Sequence, residues 1–338
     1  MRDPAFWWAD HSLAATLLAP VGALYGVIAA RRMARPGCKA PVPVICVGNF
    51  TLGGAGKTPT AIALARLLLE SGRRPFFLSR GYGGRVVGPV QVAHQRAVEV
   101  GDEPLLLGGV APTIVSHDRP AGALAAAKAG ADTIVMDDGL QNPSVDKDLA
   151  IAVVDGRRGI GNGHIFPAGP LRAPLETQLD HIDAVLLVGS ATRASERVLE
   201  AAQRRGLPAL HGELRPTAKA VATLAGKPVL AFAGIADPEK FFAMLEAHGI
   251  PIVVRKPFPD HHHYAADEMD ALVACARREG LTLVTTEKDI VRMSGDPEVA
   301  DLIARSTVLP VTLTFRDAQV VEGMLRNVVR GERGPITS

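Results

Sequence analysis

The most apolar segment of the sequence lies near the amino terminus. Residues 12–30 carry no charged side chain and are followed by Arg31, Arg32 and Arg35. As a helix this segment is about 28 Å long, which is close to the hydrocarbon thickness of a bilayer. It predicts a membrane-associated helix with a basic flank over residues 1–35, which either spans the bilayer or lies on it. A buried helix that packs on the main domain is the alternative.

From residue 36 to residue 215, short apolar runs alternate with helical patterns. A buried strand at 44–47 leads through a Gly-rich loop to a helix over 60–71, where apolar residues recur with helical spacing. Further strands are predicted at 76–78, 113–115, 133–136, 149–154 and 184–188. The repeated order of strand, loop and helix predicts a doubly wound α/β domain with a mostly parallel sheet.

A second, smaller α/β domain is predicted over residues 216–338. Its strand candidates are 229–233, 252–254, 281–285 and 308–314. Its helices are predicted near 238–248, 267–279 and 317–330. The chain is therefore expected to contain two folded domains after the amino-terminal helix.

Composition agrees with this organisation and narrows the possible partners. The chain has 338 residues, of which 47% are hydrophobic and 21% charged, as is usual for folded proteins. A formal net charge of +2 excludes nucleic-acid binding that is driven by overall electrostatics. The three cysteines, Cys38, Cys46 and Cys275, are widely spaced, which favours a reducing cytosol.

A Gly-rich segment between the first strand and the first helix of this domain nearly matches the phosphate-binding pattern GxxxxGK[ST]. Its residues are Thr51, Leu52, Gly53, Gly54, Ala55, Gly56, Lys57 and Thr58. Thr51 replaces the usual first Gly. In such a loop, main-chain N–H groups and a helix amino terminus bind phosphate, Lys57 reaches the β- and γ-phosphates, and Thr58 ligates Mg²⁺. The segment predicts nucleotide binding and a fold of the P-loop NTPase type.

Asp137 and Asp138 follow the apolar strand at 133–136, where such proteins place a second group that holds Mg²⁺. Either carboxylate could hold the ion, directly or through water. Residues 286–289 are the closest match to the guanine-recognition element N-K-x-D, but they lack the Asn, so ATP is the predicted nucleotide. Leu52 stands where partner-switching ATPases carry a signature lysine, which disfavours that class.

Further motifs occur in a fixed order along the chain. They are V-G-N-F-T at 47–51, G-G-A-G-K-T-P at 53–59, L-S-R-G-Y-G at 78–83, G-D-E-P at 101–104, D-D-G-L-Q at 137–141, P-A-G-P-L-R at 167–172, F-P-D-H at 258–261 and T-T-E-K-D at 285–289. With these motifs the chain resembles, over nearly its whole length, the tetraacyldisaccharide 4'-kinase family of lipid A biosynthesis.

The resemblance implies an ATP- and Mg²⁺-dependent kinase. Its acceptor would be the 4'-hydroxyl of a tetraacylated glucosamine disaccharide 1-phosphate, presented at the cytoplasmic face of the bacterial inner membrane. The resemblance also implies that Asp102 works with His261 to activate this hydroxyl, while Lys57 and Mg²⁺ absorb charge on the transferring group. The expected partners are the glycolipid and the membrane surface. No nucleic acid and no obligate protein partner are expected.

The sequence departs from the family pattern at two places. Residues 140–142 read Leu-Gln-Asn where the family often has Phe-Gln-His, and Ala173 stands where the family has Glu after Arg. Neither departure touches the phosphate-binding loop. Side chains in loops that follow strands are predicted to contact the nucleotide phosphates or the substrate, and these are Arg80, Tyr82, Arg119 and Arg172.

A function of another class is also compatible with the phosphate-binding loop. A nucleotide-dependent switch or a metallochaperone would act on a protein partner. In that case the run of residues 261–263, which is three histidines, would bind a metal. Such a protein would hydrolyse ATP slowly without forming a phosphorylated lipid.

Overall fold

The structure, a computed structural model, describes residues 3–9 and 11–331. Predictions that concern residues 1, 2, 10 and 332–338 lie outside this part of the chain. The strands of the described ranges, in chain order, are β1 (Val44–Asn49), β2 (Pro75–Ser79), β3 (Val90–Gln91), β4 (Thr113–Val115), β5 (Thr133–Asp137), β6 (Leu149–Asp155), β7 (Ala184–Val188), β8 (Ala209–Pro216), β9 (Val229–Ala233), β10 (Ile252–Pro257), β11 (Thr282–Thr286), β12 (Ser306–Leu309) and β13 (Val311–Phe315).

Several of the α-helices have capping residues at their termini. Within the same ranges they are α1 (Leu13–Met33), α2 (Lys57–Glu70), α3 (Ala97–Val100), α4 (Asp102–Gly108), α5 (Arg119–Lys128), α6 (Leu175–Leu179), α7 (Arg193–Gln203), α8 (Ala218–Leu224), α9 (Pro238–Ala247), α10 (Ala266–Glu279), α11 (Glu287–Met293), α12 (Ala300–Arg305) and α13 (Ala318–Arg330). The Asp118 carboxylate accepts the N–H of Ala121 at 3.0 Å and caps α5. Gly280, with φ 64°, ends α10 in the left-handed conformation.

The larger sheet has the order β13-β8-β7-β6-β1-β5-β2-β4-β3. Neighbours from β8 to β4 run parallel, and antiparallel pairs occur at the two edges, β13 with β8 and β3 with β4. Val44 and Cys46 of β1 belong to one buried cluster, whereas Ile45 and Val47 belong to the other. Alternate residues therefore face two separate cores, which confirms the predicted doubly wound, mostly parallel sheet.

The smaller sheet has the order β10-β9-β11-β12, and all its neighbours run parallel. Each residue of its central strand β9 is buried, and the residues alternate between two apolar clusters. Helices therefore cover both faces of this sheet too. The prediction of a second, smaller α/β unit is confirmed.

The end of the chain returns to the larger sheet, so the assignment of all residues 216–338 to the smaller domain is wrong. The apolar run predicted as one strand at 308–314 is interrupted at Pro310, which has no main-chain N–H. Before it, β12 pairs with β11, and after it β13 pairs with β8. Helix α13 then packs its apolar face into a core of the larger domain. The smaller domain is therefore an insertion, residues 217–310, between β8 and β13.

Helix α1 contacts the larger domain through only one face. A Cβ added at Gly22 would lie 2.7 Å from the carbonyl oxygen of Ile165, so the absence of a side chain permits the close approach. The opposite face is apolar and exposed, with Leu13, Leu17 and Leu24 at 85%, 80% and 65% exposure. The helix is long and apolar enough to cross a membrane, and only 17% of its most apolar window is buried. The alternative of a buried core helix is therefore wrong.

Candidate active site

The phosphate-binding segment, residues 51–58, forms the turn between β1 and α2. Gly53 and Gly56 both have φ 95°, a conformation that side chains disfavour, and Gly56 immediately precedes the first residue of α2. Lys57 lies at that helix terminus and donates a hydrogen bond to Asn49 Oδ1 at 3.2 Å. The loop thus places main-chain N–H groups, a helix amino terminus and one ammonium group at the same point.

Asp137 lies at the end of β5 and faces this loop. Thr58 donates its hydroxyl to Asp137 Oδ2 at 3.1 Å, and Asp137 Oδ1 is buried with no hydrogen-bond partner in the described part of the chain. Burial raises the pKa of Asp137. A hydroxyl beside a carboxylate with a free, buried oxygen is a donor set that suits Mg²⁺.

Asp138 is held at the same site in an unusual conformation. Its φ is 54°, and Arg172 forms two hydrogen bonds with its carboxylate, at 2.9 and 3.1 Å. Lys57 Nζ lies 3.8 Å from the same carboxylate. Burial alone would raise the pKa of Asp138, but Lys57 and Arg172 lower it to about 2. Asp138 is therefore ionised at neutral pH and is also available as an oxygen ligand for Mg²⁺.

Asp102 and His261 come from different domains and meet at their interface. Asp102 is the first residue of α4 in the larger domain, and His261 belongs to the loop after β10 in the smaller domain. His261 Nδ1 lies 3.3 Å from Asp102 Oδ2, and the Asp102 side chain is only 2% exposed. Burial alone would raise the pKa of Asp102, but the hydrogen bond with His261 and the charge of Lys288 lower it. The same hydrogen bond raises the pKa of His261.

Two cations that the sequence analysis did not assign also contact the acidic start of α4. Arg292 Nη2 lies 2.7 Å from Asp102 Oδ2, and Lys288 Nζ lies 2.6 Å from Glu103 Oε1. Lys288 belongs to the motif T-T-E-K-D, which contributes to the family resemblance and argues against guanine recognition but did not predict a site residue. The available signal for Lys288 was its position at the start of a short helix after a strand, whereas Arg292 lies in the last turn of that helix and had no such signal.

The residues predicted to contact substrate or phosphates have different environments. Arg172 lies at the phosphate loop, where its Nε donates to the carbonyl of Thr51 at 2.8 Å. Tyr82 is 70% exposed, and its ring centroid lies 5.6 Å from that of His261. Arg80 is exposed at the end of β2. These three remain candidates for ligand contacts.

Arg119 does not have the predicted environment. Its side chain is buried, and its guanidinium donates to the main-chain carbonyls of Leu78, at 3.1 Å, and Asp137, at 3.4 Å. Both carbonyls lie near the carboxyl ends of the neighbouring strands β2 and β5. The prediction of a substrate contact for Arg119 is therefore wrong, because the guanidinium is used to join strand ends.

The three adjacent histidines do not form one metal site. His262 Nε2 lies 2.7 Å from Glu268 Oε2, and its ring stacks on Phe258, whereas His263 is exposed. Over the described residues, one acidic and histidine cluster has atoms close enough to share an ion, namely Asp102, Glu103 and His261. Arg292 and Lys288 already neutralise these carboxylates. The arrangement disfavours the metallochaperone alternative.

Comparisons with known proteins show which family this chain is similar to. The family model described as Tetraacyldisaccharide-1-P 4'-kinase matches residues 14–330. The tetraacyldisaccharide 4'-kinase of Methylobacterium sp. (strain 4-46) is 59% identical over 99% of this chain and 100% of its own length. That of Methylobacterium nodulans is 61% identical over 94% of this chain and 93% of its own length.

A solved structure shares the fold. The crystal structure of LpxK from Aquifex aeolicus in complex with ATP superposes with a TM-score of 0.71 at 24% sequence identity, covering 94% of this chain and 100% of that chain. The family model and the relatives together cover nearly the whole sequence. This chain therefore belongs to the tetraacyldisaccharide-1-P 4'-kinase family.

Proposed function

We propose that this protein transfers the γ-phosphate of ATP to the 4'-hydroxyl of a tetraacylated glucosamine disaccharide 1-phosphate, a step of lipid A biosynthesis. Membership of the kinase family along nearly the whole chain is the observation that carries the proposal. The site has two parts. The phosphate side comprises residues 51–58 with Asp137, Asp138 and Arg172, and the acceptor side comprises Asp102 and His261.

The phosphate side binds the triphosphate and stabilises charge on the transferring group. Main-chain N–H groups of the loop and the start of α2 face the phosphate oxygens, and Lys57 adds a positive charge. Thr58, Asp137 and Asp138 would hold Mg²⁺, which neutralises phosphate charge when it is bound. Hydrogen bonds and ion pairs already hold Thr58 to Asp137, and Lys57 and Arg172 to Asp138, which favours a preorganised site.

The acceptor side orients the sugar hydroxyl. Asp102 stays ionised because its pKa is lowered, and it can therefore accept a hydrogen bond from the hydroxyl at neutral pH. In a loose phosphoryl-transfer transition state, the hydroxyl proton leaves late, so a weakly basic carboxylate suffices. As the new O–P bond forms, the bond between the γ-phosphorus and the β–γ bridging oxygen breaks and ADP leaves. The hydroxyl proton passes to Asp102, which His261 holds in place through its Nδ1 contact.

The amino-terminal helix favours a membrane location for this reaction. The exposed face of α1 is apolar, its carboxyl end carries Arg31 and Arg32, and Tyr25 packs edge-on against Phe166 of the larger domain. An apolar face with basic residues at one end suits a bilayer with anionic headgroups. We infer attachment at the cytoplasmic face of the inner membrane, where a glycolipid acceptor is within reach of the site.

A labelling experiment tests the proposed function directly. Purified full-length protein is incubated with Mg²⁺, γ-labelled ATP and the tetraacylated disaccharide 1-phosphate in mixed micelles. The expected result is label in the lipid fraction, with mass analysis locating the new phosphate at the 4' position. Labelled inorganic phosphate without labelled lipid would instead support the nucleotide-dependent switch and contradict the kinase proposal.

A further inference from the structure

A buried guanidinium joins the two domains directly at the acceptor side. Arg292 belongs to α11 of the smaller domain, and its side chain is 4% exposed. Its Nη2 lies 2.7 Å from Asp102 Oδ2, and its Nη1 lies 2.9 Å from Asp289 Oδ1. A buried charge persists only when it is paired, so these two carboxylates determine where the guanidinium lies.

The same guanidinium also contacts the main chain that holds His261. Arg292 Nη1 donates to the carbonyl of Gly234 at 3.0 Å, and this carbonyl also accepts the main-chain N–H of His261 at 3.2 Å. His261 has φ 56°, so its main chain is held in the left-handed region. A Cβ at Gly234 would lie 3.2 Å from Arg292 Nη1, which shows how closely the groups pack.

Asp289 fixes the direction of Arg292 in turn. Asp289 is fully buried and accepts hydrogen bonds from the Tyr264 hydroxyl at 3.0 Å, the Gly234 N–H at 3.0 Å and the Thr286 hydroxyl at 2.7 Å. A carboxylate with this many donors has one orientation. The guanidinium therefore faces Asp102 with a fixed geometry.

The two oxygens of Asp102 have different partners. Oδ2 is contacted by both Arg292 and His261, whereas Oδ1 accepts the main-chain N–H of Glu103 at 3.2 Å. The side chain of Glu103 also forms a hydrogen bond with Asp102. A carboxylate oxygen can accept more than one hydrogen bond. Oδ1 is the atom with capacity left for a hydroxyl.

We propose that Arg292 is a positioning residue for the acceptor side, which holds Asp102 and His261 together across the domain interface and leaves Asp102 Oδ1 to receive the acceptor hydroxyl. This inference rests on the proposed kinase function. The proposed role is more than structural, because Arg292 would set the orientation of the Asp102 carboxylate and contribute part of the charge around it. Other charged groups at this carboxylate are His261, Glu103 and Lys288.

The test compares Arg292→Gln, Arg292→Lys and a matched control in the full-length protein. The control is Arg96→Gln, because Arg96 also forms an ion pair across the domains, with Asp296 at 3.5 Å, but is exposed and does not contact Asp102. Measurements are kcat, the KM values for ATP and lipid, and the pH dependence of kcat. ATP binding by calorimetry gives the fraction of folded protein.

Arg292→Gln is expected to lower kcat roughly thirtyfold, with the KM for ATP changed by less than about twofold. The loss of a neighbouring positive charge should raise the pKa of Asp102. The acidic limb of the plot of kcat against pH should therefore move to higher pH. Arg292→Lys should keep the limb near its wild-type position but lower kcat, since an ammonium cannot reproduce the forked contacts. Arg96→Gln should leave both readouts unchanged.

Four outcomes separate the possible failures. Wild-type kcat in Arg292→Gln would overturn the inference, as would a kcat that falls only with the ATP-binding fraction while the acidic limb stays in place. If Arg292→Gln does not bind ATP, Arg292→Lys is the variant that tests the inference. A wild-type kcat in Arg292→Lys, expressed per ATP-binding site, would then overturn the inference. Wild-type protein that does not label the lipid would contradict the proposed function itself.

Discussion

The phosphate side is built from residues of one domain, whereas the acceptor side is assembled from two domains. Residues 51–58 occupy one turn, and Asp137 and Asp138 follow the strand next to β1 in the sheet. In contrast, Asp102 and His261 meet only because the smaller domain packs against α4. The phosphate side should therefore tolerate changes at the domain interface, and the acceptor side should not.

The largest effect is expected at Lys57. Lys57→Ala should lower kcat roughly 10³-fold, because it removes a preorganised charge directed at the transferring phosphoryl group. It should also weaken ATP binding, since the ammonium contacts the ground-state phosphates. Lipid labelling and calorimetry measure the two effects, and Lys227→Ala, an exposed lysine, is the matched control. Normal turnover by Lys57→Ala would exclude the loop as the phosphate site.

Asp102→Asn should lower kcat roughly 10²-fold and leave ATP affinity unchanged. An amide cannot take the hydroxyl proton, but the phosphate side does not depend on this residue. Calorimetry with ATP and steady-state lipid labelling separate the two quantities. Asp270→Asn, at an exposed position on α10, controls for loss of one negative charge. A large loss of ATP affinity in Asp102→Asn would show that the two sides are not independent.

Substitutions on α1 should affect neither side of the site directly. The double variant Leu17→Ser/Leu24→Ser removes two exposed apolar side chains. Full transfer of one such side chain from water into an apolar phase contributes roughly 1.5–3 kcal/mol to binding. Binding to anionic vesicles should weaken at least about tenfold, while kcat in detergent micelles should stay unchanged. Leu124→Ser, on α5, is the control for an exposed leucine elsewhere. Unchanged vesicle flotation would contradict membrane attachment through this face.

The smallest effect concerns the stability of the phosphate side at low pH. The pKa of Asp138 falls from 3.8 to about 2 on folding, so its carboxylate stabilises the fold above about pH 4. That contribution is lost as pH falls towards 2, and solvent screening of the partly exposed carboxylate limits it to about 1 kcal/mol. Urea unfolding of wild type and Asp138→Asn at pH 6 and pH 3 measures it. An equal stability difference at both pH values would contradict this ion pairing.

Local sequence patterns predicted the phosphate side because its signals are local. Glycine conformations, a strand of apolar residues and a lysine at a helix start are all properties of neighbouring residues. The prediction of a substrate contact for Arg119 was wrong because a position after a strand does not show where the guanidinium points. It can face a ligand or donate to main-chain carbonyls, as it does here. Its burial depends on the packing of α5 against β2, which the sequence does not encode locally.

The long-range pairings of the fold were the least predictable part. Strand β8 lacks a strongly alternating pattern, and its burial is mixed, so it was not predicted. The return of β13 was missed because one proline within a continuous apolar run separates strands that belong to different sheets. Arg292 was not predicted as a site residue because its contact is also long-range: its partner Asp102 lies 190 residues earlier in the chain.

The placement of the smaller domain between β8 and β13 has a mechanical consequence. The chain leaves the larger sheet after Pro216 and re-enters it before Val311, and the N–H of Thr217 donates to the carbonyl of Pro310 at 3.0 Å. The outgoing and incoming strands thus cross the boundary side by side. Two adjacent, hydrogen-bonded crossings restrict how the smaller domain can move relative to the larger sheet, and they therefore limit the possible separations of His261 and Asp102.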